Sequence, residues 1–579
     1  MSPIDIALVA GFLGMMFLAG IYFSRWIKEA DDFMVAGRQL TPFILAATIT
    51  ATNVNMYSFI GQAGKAYTSG LGIIWQTWVG NMALVFSGIF VVPILRRLMV
   101  RTVPEFLEMR YNKHIRLFIG LIWALKLCFY LAVILTAATV AARVITGVDN
   151  PWIWFAAFSA IAIIYSTVGG AWAVSMTDTI AFAFMLGGAL IVLPIATIAA
   201  GGVPHIIEVI KNGPVSDHVK FISQGTEFNW LFVVSMMLLA TKWACIDQAI
   251  LQRAFGGKDP RTVAKGMVLS GIITTPFAFL WILPGLSNLI LHPGIEKPDM
   301  VIPMFLAKYL APGVLGLVMC GLMASMMSAI SADINSVATL FTNDIYHNIR
   351  RKVSQKHLLK VVRISTVVSG VLMILIAHFV VSRFKGVVDA QLTFVGIVDM
   401  PVFVITIVYG LFSRRANWQG AIGGYIVGAT AGLMSYRYFS GNPDLSAYTV
   451  LSRYLGNDIH WSVWAKSIAA LASTSGALIA TPLVSMVFPK QRLTEDGQRI
   501  LDAFKAKTTD GRRETADSEI HLWPVSGKGK FGVGLMALGA LSFLIGVLSG
   551  SVQFAFASQL AVGGMLVFFM GGLVRVYSE

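Results

Sequence analysis

The chain has 579 residues, 56% hydrophobic and only 13% charged, with 44 Lys and Arg against 29 Asp and Glu for a formal charge of +15. Apolar runs of bilayer-spanning length recur along it, which excludes a soluble globular domain and predicts an all-α polytopic membrane protein. The basic residues sit in short loops between those runs rather than in an aromatic-interleaved patch, so the charge reports topology and excludes a nucleic-acid surface.

About fifteen spans are predicted in chain order, near residues 4–24, 43–63, 73–96, 116–146, 152–168, 175–199, 228–251, 264–291, 304–342, 360–382, 391–413, 418–436, 462–488, 531–550 and 556–576. Lys and Arg gather in 96–116, 253–265, 343–363, 414–415 and 490–530, and the alternate loops are poor in them. That bias places the amino end outside and the carboxyl end in the cytoplasm of a multi-pass cell (inner) membrane protein. The first span has neither a basic leader nor a small-residue cleavage site and reads as a retained helix. Cys128, Cys245 and Cys320 fall inside spans, as small buried residues rather than a disulfide or metal site.

The second span, FILAATITATNVNMYSFIGQAG, is interrupted at Thr52, Asn53, Val54 and Asn55; the seventh, FVVSMMLLATKWACIDQAILQR, at Thr241, Lys242, Asp247 and Gln248. Such breaks place free backbone carbonyls and half-helix ends at the membrane midplane, where transporters bind ions and solutes. Interhelical hydrogen bonding between intact helices is the alternative. Within the spans Lys126, Asp178, Lys242, Asp247, Asp333 and Asp399 must face the bundle interior or one another. Two cations among four carboxylates leave negative charge to spare, which a bound cation or protonated carboxylates would offset.

In the ninth span, Ser325, Ser328, Ser331 and Asn335 recur at three- or four-residue steps and share one helical face. A hydroxyl face carrying Asp333 at bilayer depth is costly unless it lines a cavity, a partner helix or an ion path. Between Lys490 and Lys530, RLTEDGQRILDAFKAK predicts an amphipathic surface helix with Ile500, Leu501 and Phe504 on one face. Forty residues are too few for a catalytic domain, and there is neither a phosphate-binding G-x-x-x-x-G-K-[ST] loop nor a His-Glu-x-x-His, so neither an enzyme nor an ATP-driven pump is expected.

Six blocks, DDFMVAGRQL, NVNMYSFIGQAGKAY, RTVPEFLEMRYN, VGGAWAVSMTD, DQAILQRAFGGKD and SAISADINSVATLFTNDIY, occur in an order that resembles the sodium:solute symporter family, over about residues 30–415. The resemblance implies the leucine-transporter fold, two five-helix repeats of opposite topology with ion and solute at their interface. The expected units are then 1–42, a first span and loop; 43–200 and 201–416, the repeats; 417–488, two further spans; 489–530, a cytoplasmic segment; and 531–579, two C-terminal spans packed outside the transport core. The interrupted spans come first in each repeat, as this architecture requires.

By the same resemblance a co-transported sodium ion takes backbone carbonyls at Ala51, Val54 and Ser325 and the hydroxyl of Ser328. Ala329 stands where the family has another hydroxyl. Sodium prefers several hard oxygen ligands, so water or a nearby carboxylate has to complete the shell. A second cation site, found in some relatives, is implied at Asp178 and Ser331, with Ala332 replacing one serine; Asp333 is a substitute ligand, a step on the exit route, or a helix contact.

For the small organic solute, Asn53, Asn55, Tyr57, Ser58, Thr77, Lys242, Asp247 and Gln248 are the candidate contacts. Tyr57, Ser58, Thr77 and Asp247 replace residues that sugar-transporting relatives use, so sugar specificity is not inherited. Lys242 and Asp247 would lie about 140° apart on a continuous helix, but an unwound segment brings both to the cavity. They suit a carboxylate or zwitterion, or form an internal ion pair. The expectation is a sodium-coupled symporter; proton coupling, sugar transport, and a channel or sensor on the same fold are the alternatives.

Overall fold

The computed structural model describes residues 1–25, 34–223, 227–350, 353–384, 386–441, 461–489, 494, 495, 497, 498, 524, 526–550 and 556–578. The segment expected to be amphipathic around Ile500, Leu501 and Phe504 lies outside them. Among the described residues there are no strands, only one isolated bridge between Leu40 and Gly257.

Every expected span is helical. In order they are α1 (Pro3–Ser24), α2 (Pro42–Asn53) with α3 (Tyr57–Ser69), α4 (Leu71–Phe90), α5 (Lys113–Thr146), α6 (Pro151–Ala199), α7 (Trp230–Ile246) with α8 (Gln248–Phe255), and α9 (Pro260–Leu291). Then come α10 (Val314–Ile349), α11 (Lys356–Arg383), α12 (Val387–Val398) with α13 (Met400–Phe412), α14 (Trp418–Gly441), α15 (Trp461–Val487), α16 (Gly527–Ser549) and α17 (Ala557–Tyr577). The fifth and sixth expected spans are joined into the single 49-residue run α6. Its apolar parts are Pro151–Ile164 and Ala171–Ala199, the second long enough to cross a membrane. The Gly169–Gly170 pair between the two spans weakens a helix without removing its hydrogen bonds.

Three spans are broken, with bends of 50° between α2 and α3, 40° between α7 and α8, and 43° between α12 and α13. In the first, Val54 turns extended (φ −89°, ψ 102°) and Asn55 replaces the helical bonding with its side chain, accepting from Tyr57 N–H (2.9 Å) and donating to the Thr52 carbonyl (3.2 Å). At the second, Asp247 is extended and its carboxylate caps α8 by accepting from Ala249 N–H (3.2 Å). The third break, at Asp399-Met400-Pro401, was not among the sequence expectations; Pro401 supplies no N–H to the helix that precedes it.

Two tethers fix how the first two broken helices run. Leu40, just before α2, exchanges backbone hydrogen bonds with Gly256 and Lys258, just after α8 (2.8 and 3.3 Å). At the opposite end Lys65 and Ser69 of α3 bond to Glu227, just before α7 (2.6 and 2.7 Å). The α2–α3 and α7–α8 helices are therefore antiparallel and side by side.

The last two helices pair through glycines seven residues apart. A Cβ on Gly532, Gly539 or Gly546 of α16 would stand 2.4 to 2.7 Å from backbone nitrogens of α17. Small residues let helix backbones approach where lipid gives no hydrophobic drive. The hairpin rests on α4 and α9, and none of its described residues lines the central cavity.

Candidate transport site

A cavity of about 140 Å³ lies where the broken helices meet, comparable to the roughly 150 Å³ that admits a benzene-sized molecule in a protein core. Its walls come from the α2–α3 break (Thr52, Asn53, Val54, Tyr57, Ser58), α4 (Gln76, Thr77), α5 (Lys126, Tyr130), the α7–α8 break (Lys242, Asp247), α10 (Asp333) and α12 (Gln391). Of the sequence-derived solute contacts, Asn53, Tyr57, Ser58, Thr77, Lys242 and Asp247 are thus brought together.

Two are not. The Asn55 side chain is consumed by the helix break, and its amide also donates to Tyr130 Oη (3.1 Å). Gln248 turns away from the cavity, donating to the Arg101 carbonyl (3.1 Å) and accepting from Val103 N–H (3.3 Å). One position beyond Asp247 on α8, it points about 100° around the helix, toward the 101–103 loop.

The expected Lys242–Asp247 pair is part of a larger cluster. Lys242 bonds most closely to Asp399 and stands 3.6 Å from Asp247, while Lys126 reaches Asp247 at 2.5 Å and Asp399 at 3.4 Å. Two ammonium groups and two carboxylates alternate, all buried. The cluster ties α5 to the breaks in α7–α8 and α12–α13. Mutual pairing of this kind offsets the cost of removing each charge from water, and loss of one member leaves another stranded.

The same cavity carries a set of uncharged polar groups. Gln76 donates to Tyr57 Oη (2.7 Å), and Gln62 Oε1 accepts from Trp281 Nε1 (2.7 Å) and Thr77 Oγ1 (3.1 Å). Gln62, Gln76 and Trp281 were missed in the sequence. Gln62 lies one turn past Ser58 on α3 and is on the same face, a signal available in FIGQAG.

The sodium-site residues sit behind the first break. Among the carbonyls at the end of α2, Thr50 O accepts from Val54 N–H (2.8 Å) and Thr52 O from the Asn55 amide, which leaves those of Ala51 and Asn53 for other donors or ions. On α10, Ser325 Oγ is turned back to the Leu322 carbonyl (2.8 Å) and Ser331 Oγ to the Ser328 carbonyl (3.0 Å). Ser328 Oγ, buried beside the Asp178 carboxyl, is the one of the three not tied to its own helix. Ala329 is buried and offers no side-chain oxygen.

The second cation set does not assemble. Asp178 accepts from Thr48 Oγ1 (2.5 Å) and is paired with Arg253 at 3.1 Å, so a guanidinium already occupies the place of a cation. Ser331 bonds within its helix, and Asp333 faces the cavity instead. Arg253 comes from the block DQAILQRAFGGKD, 75 residues from Asp178, and spacing gave no hint of the pairing.

A second charged quartet ties α3 to the start of α7, to α12 and to α15. Lys65 contacts Glu227 (2.6 Å) and Asp389 (3.1 Å), while Lys466 contacts Glu227 (3.4 Å) and, more closely, Asp389. Burial alone would push the Glu227 carboxyl up, but Lys65 and Lys466 hold it down at about 2, so it stays ionised through the physiological range. Lys65 is one turn beyond Gln62 and Asp389 one turn before Leu392, both cavity residues, which sets the quartet about one helical turn from the cavity lining.

Ser328→Ala is expected to weaken sodium dependence more than Ser331→Ala, since only the Ser328 hydroxyl is available to an ion. The check is the half-saturating sodium concentration for uptake in vesicles, with equal values for both mutants counting against the assignment.

Broken antiparallel helices around a polar cavity, in a bundle of apolar helices, define a secondary transporter. The chain belongs to the sodium:solute symporter family, whose model matches residues 33–428. A sodium/glucose cotransporter of Vibrio parahaemolyticus is 26% identical over 460 residues, covering 74% of this chain and 84% of the relative. A sodium/sialic acid symporter of Proteus mirabilis is 26% identical over 454 residues, covering 76% and 90%. The solved structure of a Na+-coupled sialic acid symporter in a substrate-bound, outward-open state superposes with a TM-score of 0.72 at 22% identity, over 85% of this chain and 99% of that one. The fold is the leucine-transporter type with inverted five-helix repeats, and the activity of the family is sodium-coupled symport of a small organic solute.

Proposed function

We propose that this chain imports a small zwitterion or organic acid with sodium, residues 43–200 and 201–416 acting as the two repeats of an alternating-access cycle. The observation that supports this reading is the polarity of the cavity lining: the charged groups Lys126, Lys242 and Asp247 together with the Gln62, Gln76, Tyr57 and Thr77 amides and hydroxyls. An ionised group would meet the charged set through charge-assisted hydrogen bonds, and the rest of the solute the uncharged set. Sodium would be held by the Ala51, Val54 and Ser325 carbonyls and Ser328 Oγ. With the amino end outside a cell (inner) membrane, as the Lys/Arg bias suggests, the Lys65, Glu227, Asp389 and Lys466 quartet is the outer closure.

A sugar is the second reading, favoured by the uncharged set, which matches hydroxyl groups. The two are separated by thermal unfolding of purified protein against amino acids, organic acids and hexoses, with and without sodium, because a ligand bound to the folded state raises its apparent stability. Stabilisation by a charged solute only in the presence of sodium is the expected outcome. Stabilisation by hexoses alone would favour the sugar, and stabilisation indifferent to sodium would count against coupling at this cavity.

A further inference from the structure

We propose that Asp333 holds a second monovalent cation in the transport cavity, separate from the sodium position at Ala51, Val54, Ser325 and Ser328. The inference rests on the transporter reading above and extends it from one coupled cation to two.

The buried charges around the cavity do not balance. Between the cavity and the α10 helix the buried ionisable side chains are Lys126, Lys242, Arg253, Asp178, Asp247, Asp333 and Asp399. Three cations face four carboxylates. Lys126 and Lys242 are shared between Asp247 and Asp399, and Arg253 is paired with Asp178. Asp333, only 2% exposed and lining the cavity, has no ion-pair partner within 4 Å among the described residues. One negative charge is left over, on the carboxylate with direct access to the cavity, and an unpaired buried charge is costly until something neutralises it.

The surroundings do not supply that neutralisation. The charged groups whose fields reach Asp333 are Lys126 of α5, Asp247 of the α7–α8 break and Arg253 of α8, and Asp333 in turn acts on Cys128 and Tyr130 of α5. Lys126 and Arg253 each form their ion pairs with other carboxylates and not with Asp333, and Asp247 adds to the negative field. On its own helix, Ser331 bonds to the Ser328 carbonyl and Ser336 to Gln252 and the Ala332 carbonyl. What remains is a carboxylate lining the same cavity as the Tyr130 hydroxyl, hard oxygens of the kind a small monovalent cation takes.

The test needs no solute. Thermal stability of the purified full chain is measured against sodium chloride, with choline chloride holding ionic strength constant, for wild type, Asp333→Asn, Ser328→Ala and the double variant. Ser328→Ala is expected still to respond to sodium, and the double variant to need at least tenfold more or not to respond. Asp333→Asn with the same sodium response as wild type overturns the proposal. Should Asp333→Asn fail to fold, Asp333→Ser removes the same charge. Should neither fold, wild type and Ser328→Ala decide it: a sodium response abolished by Ser328→Ala alone removes the second site, and one insensitive to every variant removes both.

Discussion

Replacing Lys242 with methionine is expected to destabilise the protein by about 3 to 5 kcal/mol, the usual cost of breaking a buried ion pair from one side. The partner that loses most is Asp399, fully buried, which keeps only the longer 3.4 Å contact of Oδ2 with Lys126 and has no hydrogen bond to Oδ1. Adding Asp399→Leu should recover most of the loss, because replacing a buried pair by apolar side chains is often neutral. Adding Asp247→Leu instead should recover little, since Asp247 keeps Lys126 at 2.5 Å. The midpoints of thermal unfolding for the three proteins decide it. Rescue by Asp247→Leu rather than Asp399→Leu would restore the simple pair that the sequence suggests, and wild-type stability of Lys242→Met would mean the cluster is solvated.

The second large effect concerns Arg253. Arg253→Met should cost a comparable 3 to 5 kcal/mol, because it strands Asp178 between Thr48 and Ser328 with no counter-charge. Asp178→Asn in the same chain should restore stability. Sodium should restore it too, since the freed carboxylate then stands beside the Ser328 hydroxyl, two hard oxygens that can hold the ion. The sodium dependence of unfolding should therefore be steeper in Arg253→Met than in wild type. An identical dependence would mean that Arg253 is not what fills this position.

The sequence was legible where a local signal had one physical meaning. Thr52 to Asn55 and Lys242 to Gln248 interrupt apolar runs, and both runs break where these residues sit. The helical period placed Ser328 on a buried polar face. What remained hidden was pairing across the fold. Lys126 lies 121 residues from Asp247, and Lys242 lies 157 from Asp399; each was recognisable as a charge that must find a partner, but periodicity does not say which. The Asp399-Met400-Pro401 break carried its own signal, a proline after an intramembrane carboxylate, and was passed over because the surrounding run is apolar enough to read as continuous. Gln248 failed for the opposite reason: proximity to Asp247 in sequence suggested a shared role, while helix geometry sends neighbouring side chains in different directions.

The most direct test is solute uptake by the full chain reconstituted in proteoliposomes, driven by an inward sodium gradient, using the solute that stabilises the purified protein. The account predicts accumulation above the external concentration that collapses when the gradient is dissipated, with the sodium requirement raised by Ser328→Ala. Accumulation that persists without a sodium gradient, or a sodium requirement untouched by Ser328→Ala, would contradict it.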